Sequence, residues 1–353
     1  MAVKISSMGM LEDGREVKVY TLTNAQGTEA AFLDFGAIWY SMLVKDKDGK
    51  QRDMLLGCGA LKDLPKNPGH MGEVVGRNAN RIGGAAFSLN GKTYTLAVND
   101  NDANNLHSGP DYWRLRSWKA ETGVSEQGSF VRFSLHSPDG DQGYPGNADV
   151  SVTYTLSEDN AVHLHYEGSA DQDTVFNLTN HAYFNVAGQD SGSVLSHLVW
   201  LNADYYTPAD AVSIPTGEIR PVEGTPMDFR TPKPVGQEIG ADFDQLNFAK
   251  GYDHNWCLND ADGSVRLVGS VYAEESGIKM EMYTDLEGVQ FYTANYLDEP
   301  GIGKGGRDYH VRDAYCFETQ HYPDAVNKPD FPPPFVKAGE KYETETIYRF
   351  TLA

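Results

Sequence analysis

The sequence predicts an all-β protein built from packed antiparallel sheets, and three observations carry that reading. Gly 36 and Pro 17 make the 353-residue chain rich in turns, which favours many short strands over long helices. Apolar and polar residues alternate in one segment after another, the pattern of a strand with one buried face. No stretch holds the spacing of an amphipathic helix over three turns. Hydrophobic residues at 40% and aromatic residues at 11% supply a large core and exclude general disorder.

The elements follow in order. Turn signals at Glu12-Asp13-Gly14, Asn24-Ala25-Gln26-Gly27 and Asp46-Lys47-Asp48-Gly49 divide the first third into hairpins. Val17, Val19 and Tyr20 make Glu16–Thr23 a strand. Asn90-Gly91, the strongest short hairpin signal, joins Phe87–Leu89 to Thr93–Leu96. Further strands are expected at Ser129–His136, Ala148–Leu156, Ala161–Tyr166, Val265–Tyr272, Lys279–Thr284, Val289–Asn295 and Thr344–Leu352. Short helical turns fit Leu61–Leu64 and Asp242–Leu246, and Pro329–Pro334 reads as an extended surface loop. Length alone would allow about two or three domains. No linker or repeat divides the chain, so residues 1–353 are read as one domain of two packed sheets.

Charge and cysteine usage exclude several classes of function. Lys+Arg 29 against Asp+Glu 50 gives a net charge of −21. With no basic run, binding to nucleic acid or to an anionic membrane is not expected. The acidic balance reads as a solubility feature, to which a neutral ligand is indifferent. No apolar run reaches the length of a membrane span or of a signal-peptide core. Cys58, Cys257 and Cys316 are far apart and form no Cys-x-x-Cys pair, so neither a disulfide framework nor a zinc site is expected. Free thiols point to a cytoplasmic location.

Five polar clusters interrupt the apolar strands: Gly76–Gly84, Asn104–Pro110, Phe176–Asn185, Gly251–Trp256 and Ala314–Pro323. The first lacks the Gly-Lys-Ser/Thr of a phosphate loop. It reads either as a polar turn or as a place where Asn80 and Arg81 bind sugar hydroxyls. His107 fits a strand-end cap or a site, and His181 a satisfied core histidine or a site. Glu318 follows an apolar stretch, so it is either paired in a salt bridge or used chemically. Amides with aromatic neighbours (Tyr183, Tyr252, Trp256 and Tyr292) suit a neutral polyhydroxylated ligand. These residues alone do not choose among hydrolase, epimerase and lectin.

Seven segments, in order, are GRNANRI (76–82), NLHSG (105–109), NLTNHAYFN (177–185), YDHN (252–255), GVQFYTAN (288–295), ETQHYP (318–323) and NKPDFP (327–332). In this the chain resembles the aldose 1-epimerase (galactose mutarotase) family through most of its length. The resemblance implies a large antiparallel β-sandwich of the supersandwich type. It also implies a reaction that interconverts the anomers of free aldohexoses with no metal or organic cofactor. It sets Glu318 as catalytic base and His181 as catalytic acid. Asn80, Arg81, His107, Tyr183, Asp253 and Gln290 would hold the sugar. The expected partner is a monosaccharide, and the expected state is a monomer or homodimer.

Two departures bear on substrate preference. Ala182 replaces a serine common after the catalytic histidine, and Ser108 a frequent glycine. His254 and His321 are assigned packing or supporting roles. Three other readings compete: a hexose-6-phosphate 1-epimerase, which would need extra cations for the phosphate; a non-catalytic sugar-binding module on the same fold; and a glycosidase using Asp253 and Glu318 as its carboxylate pair.

Overall fold

The computed structural model describes residues 2–353. Its largest element is a nine-stranded antiparallel sheet. In spatial order the strands are Lys119–Val124, Gly128–Ser137, Ala148–Ser157, Ala161–Ala170, Tyr342–Leu352, Ile278–Thr284, Arg266–Ala273, Leu198–Leu201 and Lys233–Pro234. Alternation explains which face goes inward: Val150, Val152, Tyr154 and Leu156 are buried in the core, while their neighbours belong to the other face.

Two five-stranded sheets share that core. One is the N-terminal meander Ala2–Met10, Glu16–Thr23, Glu29–Leu33, Trp39–Lys45 and Gln51–Asp53. The other runs Arg220–Pro221, Tyr205–Thr207, Asp253–Cys257, Gly288–Tyr292 and Cys316–Gln320. Aromatic pairs join the layers. Phe32 stacks on Tyr154 at 4.3 Å and Tyr20 meets Phe133 edge-on at 5.5 Å. Phe184 packs on Tyr348 at 4.9 Å, and the Tyr348 hydroxyl donates to the carbonyl of Phe317 at 2.5 Å. Such pairs add about 0.5–1.5 kcal/mol each beyond the area they bury.

The fold class is as expected, but the second layer is two sheets rather than one. The strand expected to run to Asn295 ends at Tyr292, because Ala294 turns into the left-handed region at φ 50. Alternation did not reveal Ala2–Met10, an edge strand with no buried residue among those described. The helical turns near residue 61 and after residue 242 are present, the second as a six-residue α-helix at Asp244–Ala249. The Asn90-Gly91 turn has both residues at positive φ, 53 and 75, as a type I′ hairpin requires. Pro329–Pro334 is anchored rather than free, since Phe331 packs against Cys257, Tyr322 and Ala325.

Strand register positions the chemistry. Asp253 lies opposite Tyr292, Asn255 opposite Gln290, and Gln290 opposite Glu318. The two-residue period therefore puts Asp253, Gln290, Tyr292 and Glu318 on one face, while Trp256, Phe291 and Phe317 turn into the core. A second approach comes from Thr179–Asn180, paired with Val74–Val75. Its pairing continues past the strand: His181 N–H donates to the Glu73 carbonyl at 3.0 Å, and Gly72 N–H donates to the His181 carbonyl at 2.9 Å.

Arg77 locks the loop beside that strand. Its guanidinium is fully buried and donates to the carbonyls of Ser137, Pro138, Pro145 and Gly146 and to the hydroxyls of Ser137 and Thr174, at 2.7–3.2 Å. Burial lowers its pKa to about 10, which leaves it charged at neutral pH. Arg77→Met would strip these acceptors of their donor, at about 1–3 kcal/mol for each one left unpaired. The expected loss is about 3 kcal/mol or more of unfolding free energy in urea at unchanged m-value. A loss under about 1 kcal/mol would show that water replaces the guanidinium freely.

Candidate active site

Strand ends and turns of both approaches enclose a cavity of about 220 Å³. Asn80, Arg81, His107, His181, Tyr183, Asp253 and Glu318 all line it. Gln290 stands behind them, buried, donating from Nε2 to Asp253 Oδ1 at 2.7 Å. All eight residues that the resemblance assigned to the site thus meet at one place.

Asn80 and His107 are built as a pair. Each sits in the left-handed region, at φ 61 and φ 53. The Asn80 N–H donates to His107 Nδ1 at 3.1 Å, and the His107 N–H donates to the Asn80 carbonyl at 3.0 Å. Because Nδ1 accepts, neutral His107 carries its hydrogen on Nε2 and presents a donor. Burial pushes its pKa well down, with His70 and His181 adding to the effect, so the ring stays neutral. Arg81 is held by Asp100 through Nε at 3.1 Å.

His181 and Glu318 face each other, with Nε2 and Oε1 3.7 Å apart and exposures of 6% and 2%. Burial, reinforced by His70, pushes the His181 imidazolium down to about 3. Burial, then the charge of Asp253, pushes the Glu318 carboxyl well up, and Arg81 offsets part of this. An ordinary histidine titrates near neutrality, and burial moves His181 well below that. The His181 ring is therefore neutral at neutral pH, and the Glu318 carboxyl holds its proton more tightly than an ordinary glutamate does. Burial also raises the Asp253 pKa, against the opposing charge of Arg81 and the Gln290 hydrogen bond.

The other motif residues brace rather than line. The amides of Asn177, Asn180 and Asn185 hydrogen-bond to the carbonyls of His321, Gly72 and Gly192. Asn105 donates to the carbonyls of Ala97 and Gly109. Tyr252 and Trp256 belong to the core and donate to the carbonyls of Pro226 and Met227, so of the four expected aromatic walls only Tyr183 and Tyr292 line the cavity. Ala182 is in the core, and Ser108 ties Asn78 to Tyr144. Neither departure lines the cavity. His254 is buried, with Nδ1 accepting from the Asp253 N–H at 3.2 Å, and His321 pairs with Glu287 at 2.8 Å.

Sequence reasoning missed His70 and Tyr296, both of which line the cavity. The only signal for His70 was a glutamate three residues later, at Glu73. His107, His181 and Glu318 offer donor atoms within 4.8 Å of one another, close enough for a cation. However, the tautomer that Asn80 enforces on His107 leaves that ring no free lone pair. The arrangement can therefore donate and accept protons around the oxygens of a small ligand.

Known proteins match this chain along most of its length. The sequence profile of the family described as aldose 1-epimerase matches residues 18–349. A galactose mutarotase of Bos taurus is 42% identical over 321 residues, covering 91% of this chain and 90% of the relative. An aldose 1-epimerase of Haemophilus influenzae is 39% identical over 342 residues, covering 96% of this chain and 97% of the relative. A crystal structure of an aldose epimerase homologue from C. elegans superposes with a TM-score of 0.85 at 31% identity, covering 94% of this chain and 98% of that one. With its β-architecture, its polar cavity and these matches all in agreement, the chain belongs to the aldose 1-epimerase family.

Proposed function

We propose that the chain interconverts the α and β anomers of free aldohexoses such as galactose and glucose, with Glu318 as base and His181 as acid. The observation that carries this is the buried pair at 3.7 Å across a cavity of about 220 Å³. That volume lies below the roughly 300–1,000 Å³ usual for drug-sized ligands and suits one monosaccharide.

Anomerisation opens a hemiacetal. Glu318 carboxylate takes the proton of the C1 hydroxyl, the C1–O1 bond becomes a carbonyl, and the C1–O5 bond breaks. O5 takes a proton from the His181 imidazolium. The aldehyde rotates about C1–C2, and closure from the other face runs the two transfers in reverse. A proton passed from the Glu318 carboxyl to His181 gives the carboxylate–imidazolium pair with no exchange with solvent. A bound sugar favours the charged form by offering O1–H to the carboxylate and O5 to the imidazolium. His107 Nε2–H and Arg81 steady charge near the ring oxygen. Asp253, aligned by Gln290, accepts from sugar hydroxyls, Asn80 binds another, and Tyr183 walls the ring.

A specific observation favours free sugar over a sugar phosphate. Arg81 is the cation that lines the cavity among the described residues, and Asp100 already holds it. A phosphate would need further donors.

Polarimetry on freshly dissolved α-D-galactose tests the reading. Purified protein accelerates the drift beyond buffer, and no acceleration would exclude activity on galactose. Glu318→Gln and His181→Asn each lower the rate by about 10²-fold or more. A near-normal rate in Glu318→Gln would remove the base assignment.

Burial sets the titration of His181. Its ring takes a second proton only as pH falls toward about 3, where an ordinary histidine does so near 6.5. In nitrogen-15 spectra of the sugar-free protein the His181 ring stays neutral at about pH 5.5, midway between the two. A His181 that titrates near 6.5 would contradict the buried pair.

A further inference from the structure

A third histidine stands beside the proton-carrying pair without a role in the reaction above. The His70 ring lines the cavity, with its centroid 5.1 Å from that of His107 and 5.8 Å from that of His181. Its Nδ1 lies 2.7 Å from Oε1 of Glu73, a carboxylate that is itself 1% exposed. Arg114 pairs with the other oxygen of Glu73, Nε to Oε2 at 3.3 Å. Tyr112 completes the clamp, taking His70 edge-on at 4.9 Å and the Arg114 guanidinium over its ring at 4.5 Å. The backbone of Glu73 also accepts from the His181 N–H, so one residue sets both the His70 ring and the strand that carries His181.

The hydrogen bonding gives His70 and His107 opposite faces. A buried carboxylate can only accept, so Nδ1 of His70 carries the hydrogen. The remaining nitrogen, Nε2, lies on the far side of the ring from Glu73 and, in the neutral ring, is a lone pair. His107 is the reverse, since its Nδ1 accepts from Asn80 and its Nε2 carries hydrogen. We propose that His70 is a specificity-determining residue whose Nε2 accepts a hydrogen bond from one hydroxyl of the bound aldose, held in that tautomer by Glu73 and Arg114. The adjacent rings then present one acceptor and one donor, which fixes the orientation of a sugar hydroxyl that each would otherwise read either way. This rests on the anomerase reading for its substrate class, but not for the tautomer.

Two measurements test it. In the free holo-length protein, nitrogen-15 histidine spectra show His70 protonated at Nδ1 and His107 at Nε2. An Nε2–H tautomer at His70 would overturn the proposal whatever the protein catalyses. The second is a cycle of His70→Phe against monodeoxy galactoses lacking the hydroxyl at C2, C3, C4 or C6, read by KM and kcat. His70→Phe raises KM for galactose about tenfold, with kcat changed far less, the usual worth of one hydrogen bond. For one deoxy sugar the variant and the wild type have the same KM, because the partner hydroxyl is already missing. His70→Gln, which keeps an acceptor, recovers part of the loss. Equal losses for all four deoxy sugars would show that His70 only packs, and the acceptor role would fall. If the wild type fails to speed galactose anomerisation, that failure belongs to the proposed function. The same cycle read by sugar affinity in calorimetry then decides the His70 question.

Discussion

The site depends on one constraint: an acid and an imidazole buried face to face, with too little water to solvate either ion. Burial makes each charge costly alone, and their proximity makes the charged pair reachable by moving one proton. This is what a reversible ring opening needs, because each group is acid in one direction and base in the other. The surrounding residues supply polarity with little net charge. Arg81 is balanced by Asp100, Asp253 is satisfied by the Gln290 amide, and His107 is kept neutral. A frame richer in cations would pin Glu318 as a carboxylate, and one richer in anions would pin it as an acid.

Placing these groups within reach of one another takes distant parts of the chain. Glu318 and Asp253 arrive on neighbouring strands of one sheet, and register alone sets their spacing. His181 comes from a short extended segment that pairs with residues 72–75. Asn80 and His107 come from turns in the left-handed region, where a non-glycine residue pays about 1 kcal/mol or more in strain. Their reciprocal hydrogen bonds keep both turns in place. Buried asparagines tie the loops around them, which is why the motifs carry so many amides that never reach the cavity.

The strands were legible because alternation reports a half-buried face directly. Ala2–Met10 escaped because an exposed edge strand leaves no such alternation. The eight site residues could be named because their clusters carry a recognisable resemblance, and chemistry alone would have stopped at a sugar site. Residue type could not separate Asn80, which lines the cavity, from Asn177, Asn180 and Asn185, which brace it. The same amide does both jobs, and the turn decides which way it points. Tyr252 and Trp256 failed as cavity walls for a related reason: Trp256 takes the inward phase of its strand and Tyr252 precedes that strand in the core. The depressed pKa of His181 is a property of surroundings that no local sequence window contains.

The strand Tyr342–Leu352 lies between Ala161–Ala170 and Ile278–Thr284, at the middle of the nine-stranded sheet. A segment made after every other strand of that sheet therefore holds its two halves together. Until it emerges, each half carries an open inner edge, the kind of surface that pairs with other chains. Most contacts in the fold join residues far apart in sequence, a topology that folds slowly. Catalytic competence thus waits on a strand that contributes no residue to the cavity.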